Sequence, residues 1–320
     1  MIQRRSMHCL WGLLLLMLFF SSMPVICLGA MRLDAPAAAV RGSAFMARAW
    51  SEARVGEFVF FWLGKRLAAQ ASQHGNGLWQ ASILLPVPLE QKQDTLQLGV
   101  AGVSQGKRDR TVPALTADIR LLHKKRPVQK LTMDRKYVDP PADEQTRIKG
   151  DREKVRQALA QYLPGRRWTL PLARPVPGSV SSLFGLRRVF NGQPRGMHRG
   201  LDLRGAEGTP VQACADGRVV LADDLYFSGN AVYLNHGEGV FTAYLHLSRI
   251  LVRQGQDIRR GEVIGLVGAT GRVTGPHLHL SLTVQGHAAD PEPLLAEHYF
   301  PLPGEKATAP VRAVRKEAGQ

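Results

Sequence analysis

Short apolar or alternating runs recur along the chain, separated by Gly, Pro, Asn and charge clusters. Between residues 31 and 160 they are VGEFVFFWLG, LWQASILLPV, DTLQLGVAGV, ALTADIRLLH and QKLTMDR. Runs of this length and spacing predict strands, and a set of them predicts a small β-sandwich. VGEFVFFWLG fits a central strand, and LWQASILLPV alternates. One run has a different period. RIKGDREKVRQALAQYL, residues 147–163, repeats Val155, Leu159 and Leu163 and predicts a helix that Pro164-Gly165 stops. Residues 164–178 (PGRRWTLPLARPVPG) are rich in Pro and read as a linker. Strand signals then resume in GRVVLADDL, NAVYLNHG, GVFTAYLH, EVIGLVGAT and LHLSLTVQG. These predict an antiparallel sheet with a groove across one face, and ADDLYFSGN and NHGEG read as hairpin-type turns. The expected class is therefore mainly β, with a first domain over 31–163 and a second over 179–300. Residues 301–320 have no apolar period and are expected to be disordered.

The first thirty residues read as a targeting segment. Arg4 and Arg5 precede the apolar run Leu10 to Phe20, and small residues follow near Gly29 and Ala30. The run is shorter than the roughly 18–20 residues of a spanning helix. A cleaved signal and a periplasmic or secreted protein are expected, with an inner-membrane anchor as the alternative. Cleavage would remove Cys9 and Cys27 and leave Cys214 alone, which excludes an internal disulfide. In VQACADGRVV that cysteine reads as a small buried hydrophobe.

The net charge of +16 is uneven. Residues 31–169 hold 24 Lys/Arg against 13 Asp/Glu, whereas residues 170–300 hold 12 against 11. A basic domain usually meets nucleic acid, but export argues against that partner. An acidic wall polymer or an anionic membrane surface suits the compartment. A solvated basic face that selects nothing is the alternative.

Five polar residues in the last third carry chemistry. They are His198 and Asp202 in GMHRGLD, His246 in AYLHLS, and His277 and His279 in TGPHLHL. Two imidazoles and one carboxylate suit a catalytic zinc with an open fourth position. Two histidines are then left over to move protons and stabilise charge. In a strand, His277 and His279 share one face and Leu278 and Leu280 the other. Gly200 and the absence of a cap argue against a helical His198/Asp202 pair, so strand-edge or loop positions are expected. His236, in the NHGEG turn, is assigned to structure.

HRGLD, YLHLS and TGPHLHL, in this order, resemble the lysostaphin/LytM-type zinc metalloendopeptidases that cut peptidoglycan cross-bridges. The resemblance covers about residues 175–295. It implies zinc held by His198, Asp202 and His279, with His246 and His277 as the catalytic histidines. Of these two, His277 is expected to be the base. It also implies a peptidoglycan substrate, either D-alanyl–diaminopimelyl cross-links or, alternatively, oligoglycine bridges. Several members carry an immunoglobulin-like segment before the peptidase, and a monomer is expected. Arg199 and Ser281 depart from the family's usual residues and are expected to bear on substrate fit. Degenerate relatives lack zinc ligands, bind the wall and activate amidases; all five positions are intact here, which weighs against that alternative.

Overall fold

The computed structural model describes residues 31–103 and 114–299. The expected signal segment and the expected disordered tail lie outside the described residues. Residues 31–103 and 114–122 form two facing sheets. One has four strands in the order Met31–Asp34, Ala44–Ser51, Trp79–Pro86 and Ser72–Gln73. The other has five, in the order Ala38–Val40, Leu115–Leu122, Thr95–Val103, Glu57–Trp62 and Lys65–Gln70. The Glu57–Trp62 strand is interior, and five of its six residues are buried. Phe58, Phe60, Ile83, Leu85, Leu98 and Ile119 fill the space between the sheets. Trp62 ties them together: its indole N–H donates to the Pro86 carbonyl at 2.7 Å, and its ring meets Phe45 edge-on at 5.4 Å.

The period of two in Trp79–Pro86 decides how this sandwich docks. Ile83 and Leu85 face its own core, while Leu84 points the other way and is buried in the core of the second half. Ala44 and Met46 pack there too. The junction is hydrogen-bonded as well as apolar. Asp290 N–H donates to the Gly42 carbonyl at 2.7 Å, and Arg166 pairs with Glu238 at 2.8 Å while donating to Ser82. The Val128–Leu131 strand leaves the first half and pairs in parallel with Arg187–Phe190 of the second.

The second half is built on a long antiparallel sheet. Its order is Val180–Ser182, Leu201–Arg204, His277–Val284, Val240–Ile250, Gly229–Asn235, Gly217–Leu225 and Asp257–Ile258. The two expected hairpin turns join Gly217–Leu225 to Gly229–Asn235 and the latter to Val240–Ile250. Leu201, Leu203, Leu278, Leu280, Leu282 and Tyr244 bury one face. Cys214 lies in this core, fully buried, and burial pushes its thiol up to about 12.

Two sequence expectations change here. The helix spans Gln145–Ala160 and packs Val155, Ala158 and Leu159 against Tyr233, Phe241 and Leu245 of the second half's sheet. By packing it belongs with the second half, not the first. It also ends before Leu163, because Pro164 can neither donate into another turn nor follow a helical residue comfortably. Residues 164–178 are no free linker. Trp168, Leu172 and Val176 are buried in the second core. Its four prolines interrupt any regular ladder, so it lies irregularly against the second half, with Arg167, Leu172 and Ala173 N–H donating to His236, Leu294 and Cys214 carbonyls.

Candidate metal centre

Strand register builds the site. Leu201–Arg204 runs antiparallel to His277–Val284, with Asp202 opposite His279 and Leu203 opposite Leu278. Directly opposed residues on one face bring their side chains together. The leucines between them point into the core, so the polar partners share the other face. His198 comes from the loop before Leu201 and is 2% exposed. Its N–H donates to the Leu186 carbonyl at 2.8 Å, and its own carbonyl accepts from Gly185 N–H at 2.7 Å. This places His198 in a loop and Asp202 in a strand, not on a helix.

Three atoms converge. His198 Nε2 is 3.0 Å from Asp202 Oδ1 and 3.1 Å from His279 Nδ1, which is 2.8 Å from the same Oδ1. Tetrahedral ligands about 2.0–2.2 Å from a zinc ion lie roughly 3.3–3.5 Å apart, so this triangle is close to the size a metal needs. The outer atoms agree. His198 Nδ1–H donates to the Leu183 carbonyl at 2.8 Å, which leaves Nε2 with a lone pair. His279 Nε2 meets Ser281 Oγ at 2.9 Å, freeing Nδ1. Arg188 donates to Asp202 Oδ2 at 2.8 Å, so Oδ1 alone faces the histidines. Burial would raise the Asp202 carboxyl, but its contacts with His198 and His279 hold it well below the ordinary range. These three residues could hold a metal ion.

His246 and His277 stand beside the triangle. Their ring centres are 5.2 Å apart, and His246 is 5.8 Å from His279. His277 Nε2 is 3.7 Å from Asp202 Oδ1. Each ring donates Nδ1–H to a backbone carbonyl of one loop: His246 to Thr270 and His277 to Gly275, both at 2.9 Å. In the neutral form of each ring, this leaves Nε2 as the acceptor. His246 has φ +67, where pairing with Gly229–Asn235 shifts register. Such a bulge re-aims a side chain, and an unusual φ in a non-glycine marks a site worth explaining. Burial, then the nearby His279 and His277, push His246 well below its ordinary pKa, so it is neutral at pH 7.

A groove crosses this constellation in two lobes, of about 280 Å³ and about 240 Å³, that share Arg188, His246 and Arg272. Gln129, Leu131 and Met133 of the inter-sheet segment line the first lobe. Sequence reasoning missed Arg188 and Arg272 altogether. Ser281, expected to bear on substrate fit, also touches His279: its hydroxyl lies 2.9 Å from Nε2 and holds that ring. The period of two from His279 to Ser281 carried that signal. Arg199 is exposed and pairs with Glu90 of the sandwich at 2.5 Å.

A family model, Peptidase family M23, matches residues 196–291. Those residues form an M23 peptidase domain. The domain is similar to the peptidoglycan DD-endopeptidase ShyA of Vibrio cholerae, with 48% identity over 108 residues. That match covers 33% of this chain and 25% of ShyA. The DD-carboxypeptidase/endopeptidase Mpg of Neisseria meningitidis is 44% identical over 112 residues, covering 35% of this chain and 26% of Mpg. The chain thus matches about a quarter of the length of these curated relatives. A crystal structure assigned to peptidase M23 from Pseudomonas aeruginosa extends the likeness beyond the M23 domain. It is 27% identical, covers 80% of this chain and 94% of that one, and has a TM-score of 0.59.

Proposed function

We propose that this chain is an exported, monomeric zinc endopeptidase that hydrolyses peptide cross-links of bacterial peptidoglycan at D-alanyl–diaminopimelyl bonds. The observation that carries this reading is the donor triangle of His198, Asp202 and His279 with two further imidazoles beside it, each anchored through Nδ1. The activities for which ShyA and Mpg are named support the substrate class. A groove open on both sides of the triangle suits a bond inside a chain.

His198 Nε2, Asp202 Oδ1 and His279 Nδ1 would hold the ion. Bound there, zinc would polarise a peptide carbonyl and make a water acidic near neutral pH. The chain's own groups do the rest. Arg188 keeps Asp202 turned with one oxygen inward. His277 accepts a proton from the attacking water at Nε2, the nitrogen nearer the metal-facing carboxylate oxygen, and then returns it to the leaving amine. His246, held neutral by burial, orients the water through its own Nε2. Buried groups fixed in place before the reaction need no reorganisation during it.

The test is digestion of purified sacculi by the protein with zinc, with and without a chelator. Release of uncross-linked muropeptides that stops with chelator and returns with zinc supports the reading. No release, together with stimulation of an added amidase, would replace it with a non-catalytic activator role.

A further inference from the structure

The second lobe of the groove is cationic beyond what the metal centre needs. Arg188, Arg195, Arg199 and Arg272 line it, beside His198, His246 and His279, and no Asp or Glu does. Three of these arginines have protein carboxylates: Arg188 pairs with Asp202, Arg195 with Asp139, and Arg199 with Glu90. Arg272 makes no ion pair among the described residues. Its guanidinium carbon instead lies 5.1 Å from the centre of the Phe190 ring and 4.6 Å from that of Phe227. Stacking of this kind fixes a guanidinium and leaves its N–H edge free to donate. Burial, then Arg188 and Arg195, push Arg272 down to about 10, so it stays charged at neutral pH. A half-buried cation without an anion is costly, and a fixed planar fork matches a carboxylate.

We infer that Arg272 is the fixed cation of a carboxylate subsite in this lobe, reading a free carboxylate on the substrate next to the scissile bond. The inference rests on the endopeptidase reading above and narrows it. In a D-alanyl–diaminopimelyl link, the carbon bearing the scissile nitrogen also bears a free carboxylate. In an oligoglycine bridge, no carboxylate lies beside the bond. The lobe therefore selects an acidic acceptor peptide over a neutral bridge.

The test uses the full zinc-loaded chain and two synthetic cross-linked peptides. They differ only in whether that diaminopimelyl carboxyl is a free acid or a primary amide. Wild type is expected to prefer the acid by about 10–100-fold in kcat/KM, the range for a hydrogen bond to a charged group. In Arg272→Met, which keeps an unbranched chain between the two rings, the acid-to-amide ratio should collapse toward one. Arg272→Lys should restore part of it through charge alone. A wild type that cuts both peptides within twofold, or an Arg272→Met ratio equal to wild type, overturns the inference. If the variant does not fold, the wild-type acid and amide rates decide alone. If wild type cuts neither peptide, the endopeptidase reading falls. Equilibrium binding of the same two peptides then decides the subsite: tighter acid binding supports it and equal binding overturns it.

Discussion

Gly200 lies where a single methyl group tests the metal centre without removing any of its atoms. A Cβ built at Gly200 would sit 2.3 Å from His279 Nε2, 2.6 Å from its Cε1 and 2.7 Å from the Leu280 carbonyl oxygen. Ordinary contact begins near 3.4 Å. The Leu280 carbonyl belongs to an interior strand of the sheet, so residue 200 must shift off that oxygen while the imidazole gives way by about 1 Å. Metal–ligand distances tolerate only about 0.2 Å, so a ring displaced that far no longer closes the triangle. We expect Gly200→Ala to weaken zinc binding by about 10–100-fold, or roughly 1.4–2.8 kcal/mol, the scale for losing a group that orients a ligand. Overpacking adds a cost to folding of about 1–3 kcal/mol. The two effects separate if metal affinity comes from chelator competition and stability from denaturation in excess chelator. Gly150→Ala serves as control: it lies in the helix with open space around its would-be Cβ and should leave zinc binding unchanged. A folded Gly200→Ala protein that binds zinc within twofold of wild type would refute the assignment of His279 as a ligand.

Three other outcomes are expected. His246→Ala and His277→Ala should each keep stoichiometric zinc yet lose two or more orders of magnitude in muropeptide release, with the double variant little worse; undiminished cleavage in both would sink the mechanism. Ser281→Ala removes the hydroxyl 2.9 Å from His279 Nε2 and should lower zinc affinity by about tenfold, read by the same competition assay. His236, fully buried between the Asp216 carbonyl and Thr242 Oγ1, is pushed down to about 4 by burial. The unfolded chain then binds more protons between about pH 6.5 and 4, so metal-free stability should fall by about 3 kcal/mol as pH drops through that window and level off below it. A His236→Asn protein with the same pH dependence in urea unfolding would show that another group is responsible.

What the sequence made legible was local. Alternation at His277-Leu278-His279-Leu280 announced a strand with two histidines over a core, because side-chain direction in a strand depends only on parity. The strand-rich segments were legible for the same reason. The helical stripe of Val155 and Leu159 said that one face is buried, but not against which sheet. That partner is chosen by contacts far along the chain. Composition misled at residues 164–178, where the prolines read as a spacer although Trp168, Leu172 and Val176 are buried. Prolines limit the hydrogen-bond pattern of a segment; they do not decide whether its other side chains pack.

Charge counting failed most instructively. Residues 170–300 are nearly neutral, with 12 Lys/Arg against 11 Asp/Glu, and that count gives no sign of a cationic wall. A count is blind to position. Arg188 and Arg195 come from one hairpin, Arg199 from the loop after His198, and Arg272 from the loop before His277. Folding brings all four to one wall while acidic partners such as Glu90 and Asp139 come from the preceding segment. The cation left over is the one whose neighbours, Phe190 and Phe227, lie far from it in sequence. Its lack of an ion pair among the described residues is visible only in three dimensions, and it is what the proposed carboxylate subsite rests on.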